Sequence, residues 1–226
     1  MKKFYLLVAM TAVVFSMQAQ VSGKENGHEY VDLGLSVKWA TCNIGATSPE
    51  KYGDYFAWGE TTPKKDYSWN TYKYAKGNYD KLTKYCNVRN SGYNGYTDNK
   101  TILDSTDDAA HINWGGKWRL PSFEEIKELE NMCTWKWITQ GGVNGYKVTG
   151  PSGNSIFLPA AGFRLGKKLY NDGNIGHCWS NTLYSDLDDI WGISSDSGWY
   201  IGFGSIKYGC NNITRHNGFT IRPVCK

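Results

Sequence analysis

The order of signals along the chain predicts an α+β fold: an alternating apolar stretch near the start, one well-marked helix in the middle, then a run of strands punctuated by turns. At residues 31–39 the apolar side chains Val31, Leu33, Leu35, Val37 and Trp39 alternate with Asp32, Gly34, Ser36 and Lys38. Period two is the mark of a strand with one buried face, here with a break at Gly34. Directly after Pro121, Ser122-Phe123-Glu124-Glu125 is a capping box, in which the serine hydroxyl accepts from the amide of Glu125 and the glutamate reaches back to the amide of Ser122. Beyond the helix, residues 146–149 and 155–158 flank the turn Gly150-Pro151-Ser152-Gly153-Asn154, and residues 190–194 and 199–203 flank Asp196-Ser197-Gly198, which reads as two hairpins. The expected architecture is antiparallel sheets with one or two helices to one side and long irregular loops.

The start of the chain is of a different kind. Lys2 and Lys3, an apolar run over residues 4–15, and Ser16-Met17-Gln18-Ala19-Gln20 form the three-part layout of a secretory signal peptide, with cleavage expected after Ala19 or Gln20. The apolar run is shorter than the roughly 20 residues of a transmembrane helix. Export without membrane insertion is therefore expected, to the periplasm, the outer surface or the medium. Residues 21–29 then make a short N-terminal segment and residues 30–226 a single domain, since no Pro/Ser-rich or charged linker interrupts them. Without Lys2 and Lys3 the 25 basic side chains become 23, against 21 acidic ones. The remaining lysines come at most in pairs, Lys64-Lys65 and Lys167-Lys168, which argues against nucleic acid or an acidic membrane as the main partner.

Residues 42–104 are dense in Tyr, Trp, Gly and Asn and poor in aliphatic side chains. They cannot form a core alone and are expected to wrap the rest of the domain, with aromatic rings as anchors. The helix should span residues 123–132, with Phe123, Ile126, Leu129, Met132 and Cys133 as its apolar stripe and Glu124, Lys127, Glu128 and Glu130 facing water. Cys178-Trp179-Ser180 and residues 219–224 read as further strands; Pro223 lacks a ladder donor and should lie at an edge or near a strand end. The six cysteines, at positions 42, 86, 133, 178, 210 and 225, contain no C-x-x-C and are spaced for long-range staples rather than for zinc. In an oxidising compartment a disulfide from Cys225 to Cys133 or Cys210 is expected, with buried free thiols as the alternative.

Several longer stretches carry a family resemblance. Val31-Asp32-Leu33-Gly34-Leu35-Ser36-Val37-Lys38-Trp39-Ala40, Tyr52-Gly53-Asp54-Tyr55-Phe56-Ala57-Trp58-Gly59-Glu60, Trp114-Gly115-Gly116-Lys117-Trp118-Arg119-Leu120-Pro121, Phe157-Leu158-Pro159-Ala160-Ala161-Gly162-Phe163-Arg164 and residues 218–225 together resemble the Fibrobacter succinogenes major paralogous domain family, common in exported proteins of the Bacteroidota. That family is similar to the C-type-lectin-like superfold, where an Arg-Leu-Pro run opens a helix and a late Gly-Phe-x-x-Arg strand closes the domain beside the N-terminal one. The resemblance implies a fold, an exported location and a ligand face, here drawn from residues 164–175 and 186–216. It implies no reaction, because a superfold hosts many functions.

On that face rings and amides concentrate. Arg164, Tyr170, Asp186, Trp199 and Tyr200, with Tyr208, Asn211, Asn212, Arg215 and His216, are the expected ligand-binding residues. Rings stack on sugar faces or anchor protein contacts, and amides offer paired donors and acceptors to hydroxyls. A glycan or a protein is the expected ligand, while Trp179 and Trp191, flanked by strand-like residues, are expected in the core. One alternative is a variable receptor of the diversity-generating-retroelement kind, which uses the same superfold and would vary Asn211, Asn212 and Asn217. Another is a carbohydrate-active enzyme, for which a carboxylate pair is needed. Asp107-Asp108 and Asp188-Asp189 are adjacent, however, and adjacent strand residues point to opposite faces. No H-E-x-x-H or G-x-S-x-G occurs, so no catalytic residue is assigned and no enzyme activity is expected. No cofactor is expected either: the Glu-Pro-Asn and Gln-Pro-Asp triplets of calcium-dependent lectins are missing, leaving Asp186, Asp188 and Asp189 as oxygen ligands should calcium bind.

Overall fold

The alternating stretch at residues 31–39 makes two strands rather than one. In the computed structural model, which describes residues 21–185 and 195–226, β2 (His28–Val31) and β3 (Lys38–Ala40) pair antiparallel with Val31 opposite Trp39. The chain doubles back through Gly34, whose φ of +77° is open to glycine at little cost. Period two survives the bend because Val31, Leu33, Val37 and Trp39 all bury. β1 (Gly23–Glu25) pairs with β2, and β12 (Val224–Cys225) lies on the other side of β3, so the first and last strands share one sheet in the order β1-β2-β3-β12. Pro223 sits just before β12, where only its carbonyl is used, accepting from Ala40 N at 2.9 Å.

Residues 42–104 wrap the domain through short turns and isolated bridges, as their composition predicts. Phe56, Trp58, Tyr67, Tyr72 and Tyr85 bury in one cluster with Trp179 and Phe219. Irregular backbone leaves carbonyls without ladder partners, and the polar tips of these rings take them up: Trp58 Nε1 donates to Ser180 O at 2.8 Å, Tyr72 Oη to Trp58 O at 2.8 Å and Tyr67 Oη to Tyr55 O at 2.5 Å.

The carboxylates at 107 and 108 serve this scaffold. Asp108 caps α1 (Ala109–Trp114), accepting from the amides of Ala110 and His111, while its second oxygen accepts from Leu120 N at 2.9 Å. Asp107, 4% exposed, accepts from Lys84 Nζ and, at 2.6 Å, from Tyr85 Oη. Burial pushes its carboxyl up, but the Lys84 ammonium and the tyrosine hydroxyl outweigh that and hold it at about 2. A carboxylate depressed in the folded state stabilises above its unfolded pKa and loses that contribution as pH falls through the folded one. Urea titrations between about pH 4 and pH 2 should therefore show stability falling with a slope that Asp107→Asn flattens, the variant itself costing about 2 kcal/mol near neutrality. An unchanged acid slope in the variant would assign the loss to other carboxylates.

α2 (Phe123–Met132) starts at the expected capping box, with both reciprocal hydrogen bonds formed. Ile126 and Leu129 bury and Cys133 packs against their cluster, whereas Met132 is 56% exposed and leaves the apolar stripe. A second sheet follows, β4 (Thr134–Gln140), β5 (Val143–Thr149) and β6 (Ser155–Pro159), which contains the first expected hairpin. Next come the short hairpin of β7 (Phe163–Leu165) and β8 (Lys168–Tyr170), and a third sheet in the order β11-β10-β9. Its strands are β9 (Ile175–Leu183), β10 (Ser197–Gly204) and β11 (Tyr208–Thr214). All named strand pairs are antiparallel, and with two α-helices among the described residues the architecture is α+β.

Two expectations need correction here. Asp196-Ser197-Gly198 is not the hairpin turn: Ser197 and Gly198 already pair with Thr214 and Ile213, and the chain reverses at Ser205-Ile206-Lys207 instead. Gly198 is a packing glycine, since a Cβ there would stand 2.9 Å from the Trp58 ring. The expected tie of Cys225 to Cys133 or Cys210 does not form either, and all six cysteines are free. Cys225 packs with Ala40 and Trp118, while Cys133 and Cys210 border the separate cluster around Ile126 and Leu129. Burial pushes the Cys133 thiol up to about 11 and, with Glu130 beside it, the Cys210 thiol up to about 12, which leaves both as unreactive thiols near neutral pH. The leader at residues 1–20, the strand expected at 190–194, Trp191 and Asp186 lie outside the described residues. No helix among the described residues is long and apolar enough to cross a membrane.

Candidate functional site

The third sheet has one face packed and one partly open. Trp199, Ile201 and Phe203 of β10 point toward α2 and the second sheet, Trp199 stacking on Phe123 at 4.2 Å and Phe203 meeting Tyr146 at 5.9 Å. Tyr200, Gly202 and Gly204 alternate with them and turn the other way. Tyr200 stands opposite Trp179 and Asn211, and Gly202 opposite His177 and Gly209. With no side chain at Gly202 and Gly204 the strand leaves a cleft of about 600 Å³, walled by His177, Tyr200, Ile206, Tyr208 and Asn211. A Cβ on Gly202 would lie 2.8 Å from the Tyr200 ring, so the glycine is what leaves room for that ring beside the floor.

The walls are held in place by stacking. At the end of the cleft Tyr208, opposite Phe203 and 38% exposed, turns to the packed face and lies on Trp135 at 4.4 Å and 12°. Tyr200 meets Phe219 edge-on at 4.9 Å, and His177 stacks on the same phenylalanine at 4.6 Å. Burial pushes His177 down to about 4, so the imidazole is neutral at physiological pH, and its buried Nδ1 has no hydrogen-bond partner among the described residues. At the open end Ile206 is 94% exposed. Neutral rings, an imidazole and an amide around a glycine floor can stack on an apolar face and exchange hydrogen bonds with hydroxyls. No two carboxylates pair among the described residues lining this cleft.

Two of the expected ligand-binding residues, Tyr200 and Asn211, meet on this face of the cleft, while Tyr208 borders its end but stands opposite Phe203 with its ring on the packed face. Trp199 lies on the opposite face, and Asn212 is its partner across the strands. Tyr170 stacks on Phe163 at 5.5 Å on the β7–β8 hairpin, and Arg164 borders a second cleft. Arg215 corrects the reading of an accessible loop at residues 211–216: it is 0% exposed, lies over the Trp58 and Tyr72 rings at 5.5 Å each, and donates through Nη1 to Tyr85 O at 3.0 Å. His216 is nearly as buried, against Trp69 at 4.6 Å. Asn217 is buried with its amide donating to Thr214 O at 2.9 Å, so Asn211, Asn212 and Asn217 do not form one accessible surface. His177, Gly202 and Ile206 escape a reading by residue type. The alternation within β9 and β10 was the available signal for the first two.

Among the described residues no group of three or more His, Cys, Asp and Glu is placed to hold a metal ion. Fold and cleft together define an α+β domain with an open, ring-walled groove on a three-stranded antiparallel sheet. Comparison of the chain with protein-family models, curated proteins and solved structures gives no match. Function is therefore argued from the chemistry of the groove.

Proposed function

We propose that the chain is an exported binding domain of C-type-lectin-like type, akin to the Fibrobacter succinogenes major paralogous domains, which takes a glycan in the groove between β9, β10 and β11 without transforming it. The meeting of Tyr200 and Asn211 over a glycine-floored cleft is the observation that carries this reading. The fold assignment is supported by β12 lying against β3, by Arg119-Leu120-Pro121 leading into the capped α2, and by Arg222 of the closing motif reaching back to Asn43. The reading uses no cofactor.

The test is a glycan array probed with the processed protein, with calcium and again with chelator. Saturable binding is expected in both conditions, and Asn211→Ala should weaken it on the order of tenfold while leaving stability within about 1 kcal/mol, the scale for an exposed side chain. Silence across the array, or binding indifferent to Asn211→Ala, would move the function to a protein ligand or to another surface.

A further inference from the structure

The lysine pairs that look scattered in sequence meet in space. Tyr67 and Gly166 form an isolated bridge, with Tyr67 N donating to Gly166 O at 2.7 Å and Gly166 N to Tyr67 O at 2.9 Å. This brings the Lys64-Lys65 segment against the tip of the β7–β8 hairpin. Between them lies a cleft of about 510 Å³ lined by Asp54, Tyr55, Lys64, Lys65, Arg164 and Lys167, with Tyr67 behind. It is separate from the groove above. Phe163 turns its ring to His177 at 5.4 Å, and the next residue, Arg164, sends its guanidinium the other way, over the Tyr55 ring at 5.0 Å.

The four cations differ in what they already hold. Lys64 is committed, pairing with Glu60 Oε1 at 2.8 Å and donating to Thr71 O at 3.1 Å. Lys65, Arg164 and Lys167 have no ion pair among the described residues. Arg164 is nonetheless fixed: its backbone exchanges two hydrogen bonds with Gly218, at 2.8 and 2.9 Å, and its half-buried side chain rests on a tyrosine. The hydroxyls nearby are spent inward, Tyr55 Oη on Ala161 O and Tyr67 Oη on Tyr55 O. What the cleft offers a ligand is therefore a guanidinium in a set orientation and two ammonium groups from opposite walls, against the single carboxylate of Asp54. A guanidinium presents paired donors in a planar fork, and lysines add point charge. A planar carboxylate would saturate the fork alone, whereas three cations from two sides suit a group with more acceptor oxygens and more charge.

We propose that this cleft is a second binding site, for a tetrahedral oxyanion, sulfate or phosphate, either free or as an ester on a saccharide. Arg164 supplies the directional contact, and Lys65 and Lys167 close on it from the two rims.

The processed protein is titrated with inorganic phosphate, and separately with dextran sulfate against unmodified dextran. Saturable binding of dextran sulfate but not of dextran is expected. Arg164→Lys, which keeps the charge but not the fork, should weaken it on the order of tenfold. Lys167→Gln should weaken it while Lys136→Gln, which removes an exposed lysine on β4, should not. Asn211→Ala, in the other groove, should leave it unchanged, so failure here and failure of the groove reading are told apart. Phosphate binding with the same dependence on Arg164 would show that the free ion suffices; binding of dextran sulfate alone would assign the site to an ester on a chain. No binding of either probe overturns the proposal. So does equal weakening by Lys167→Gln and Lys136→Gln together with a wild-type Arg164→Lys, the signature of diffuse charge attraction.

Discussion

Arg222→Met is expected to cost more than about 3 kcal/mol, enough to leave much of the protein unfolded at ordinary temperature. Arg222 is 0% exposed and has no carboxylate partner among the described residues. Burial pushes its pKa down, but a guanidinium begins so high that it stays charged. Its charge is spread over buried oxygens of separate segments: Nε donates to Asn43 Oδ1 at 2.8 Å, Nη1 to Ala40 O at 3.1 Å and Thr41 O at 2.9 Å, and Nη2 to Phe157 O at 2.9 Å. These acceptors belong to the end of β3, the loop after it, and β6. One side chain thus clasps the first sheet to the second from the last segment of the chain. Methionine restores volume but no donor, leaving several buried acceptors unpaired at roughly 1–3 kcal/mol each. Arg222→Lys keeps the charge and reaches fewer of them, so it should fall between methionine and wild type. Urea midpoints for the three proteins make the comparison. A methionine variant near the wild-type midpoint would mean that water reaches these carbonyls and that the clasp is dispensable.

Arg222 and Arg215 show why part of this fold is legible and part is not. Both sit in the polar-looking last stretch of the chain, and both are fully buried. Their neighbours in sequence do not reveal this, because the groups that accept them come from distant segments: Asn43 and Phe157 for one, Tyr85, Trp58 and Tyr72 for the other. α2 could be placed to the residue because a capping box is local chemistry, complete within Ser122 to Glu125. The aromatic wrap of residues 42–104 was legible in kind, since rings with polar tips suit irregular backbone, but which carbonyl each would meet was not. Gly198 looked like a turn because glycine after Asp and Ser usually is one, whereas here it makes room for Trp58. The same limit applies to the sites. Tyr200 and Asn211 could be proposed from residue type, while Trp199 and Tyr208 were sent to the far face by strand alternation once the register was set. The cationic cleft depends on one bridge between Tyr67 and Gly166, and no local pattern announces it.

The second large effect is expected at Trp118, at the heart of the Trp114-to-Pro121 motif. Trp118→Ala should destabilise by about 4 kcal/mol, as truncation of a fully buried tryptophan does. The ring is 0% exposed and packs with Ala40 and Cys225, so it touches both β3 and β12 where the ends of the domain meet. Its Nε1 donates to Glu25 O at 2.7 Å, which ties down β1, and its face meets Trp114 edge-on at 5.1 Å. Trp114 is in turn stacked on His28 of β2 at 3.9 Å. Trp118→Phe keeps most of the ring and loses the indole donor; because Glu25 lies near the surface, water can replace that donor, and a cost of about 1–2 kcal/mol is expected. Denaturant midpoints separate the two variants, and amide exchange locates the damage. If Trp118 acts as the peg of the first sheet, protection in β2 and β3 should collapse in Trp118→Ala before protection in β9 and β10 does. Uniform loss across all strands would instead make the first sheet inseparable from the rest, with the domain opening as one unit. Wild-type stability in Trp118→Ala would remove Trp118 from the core altogether.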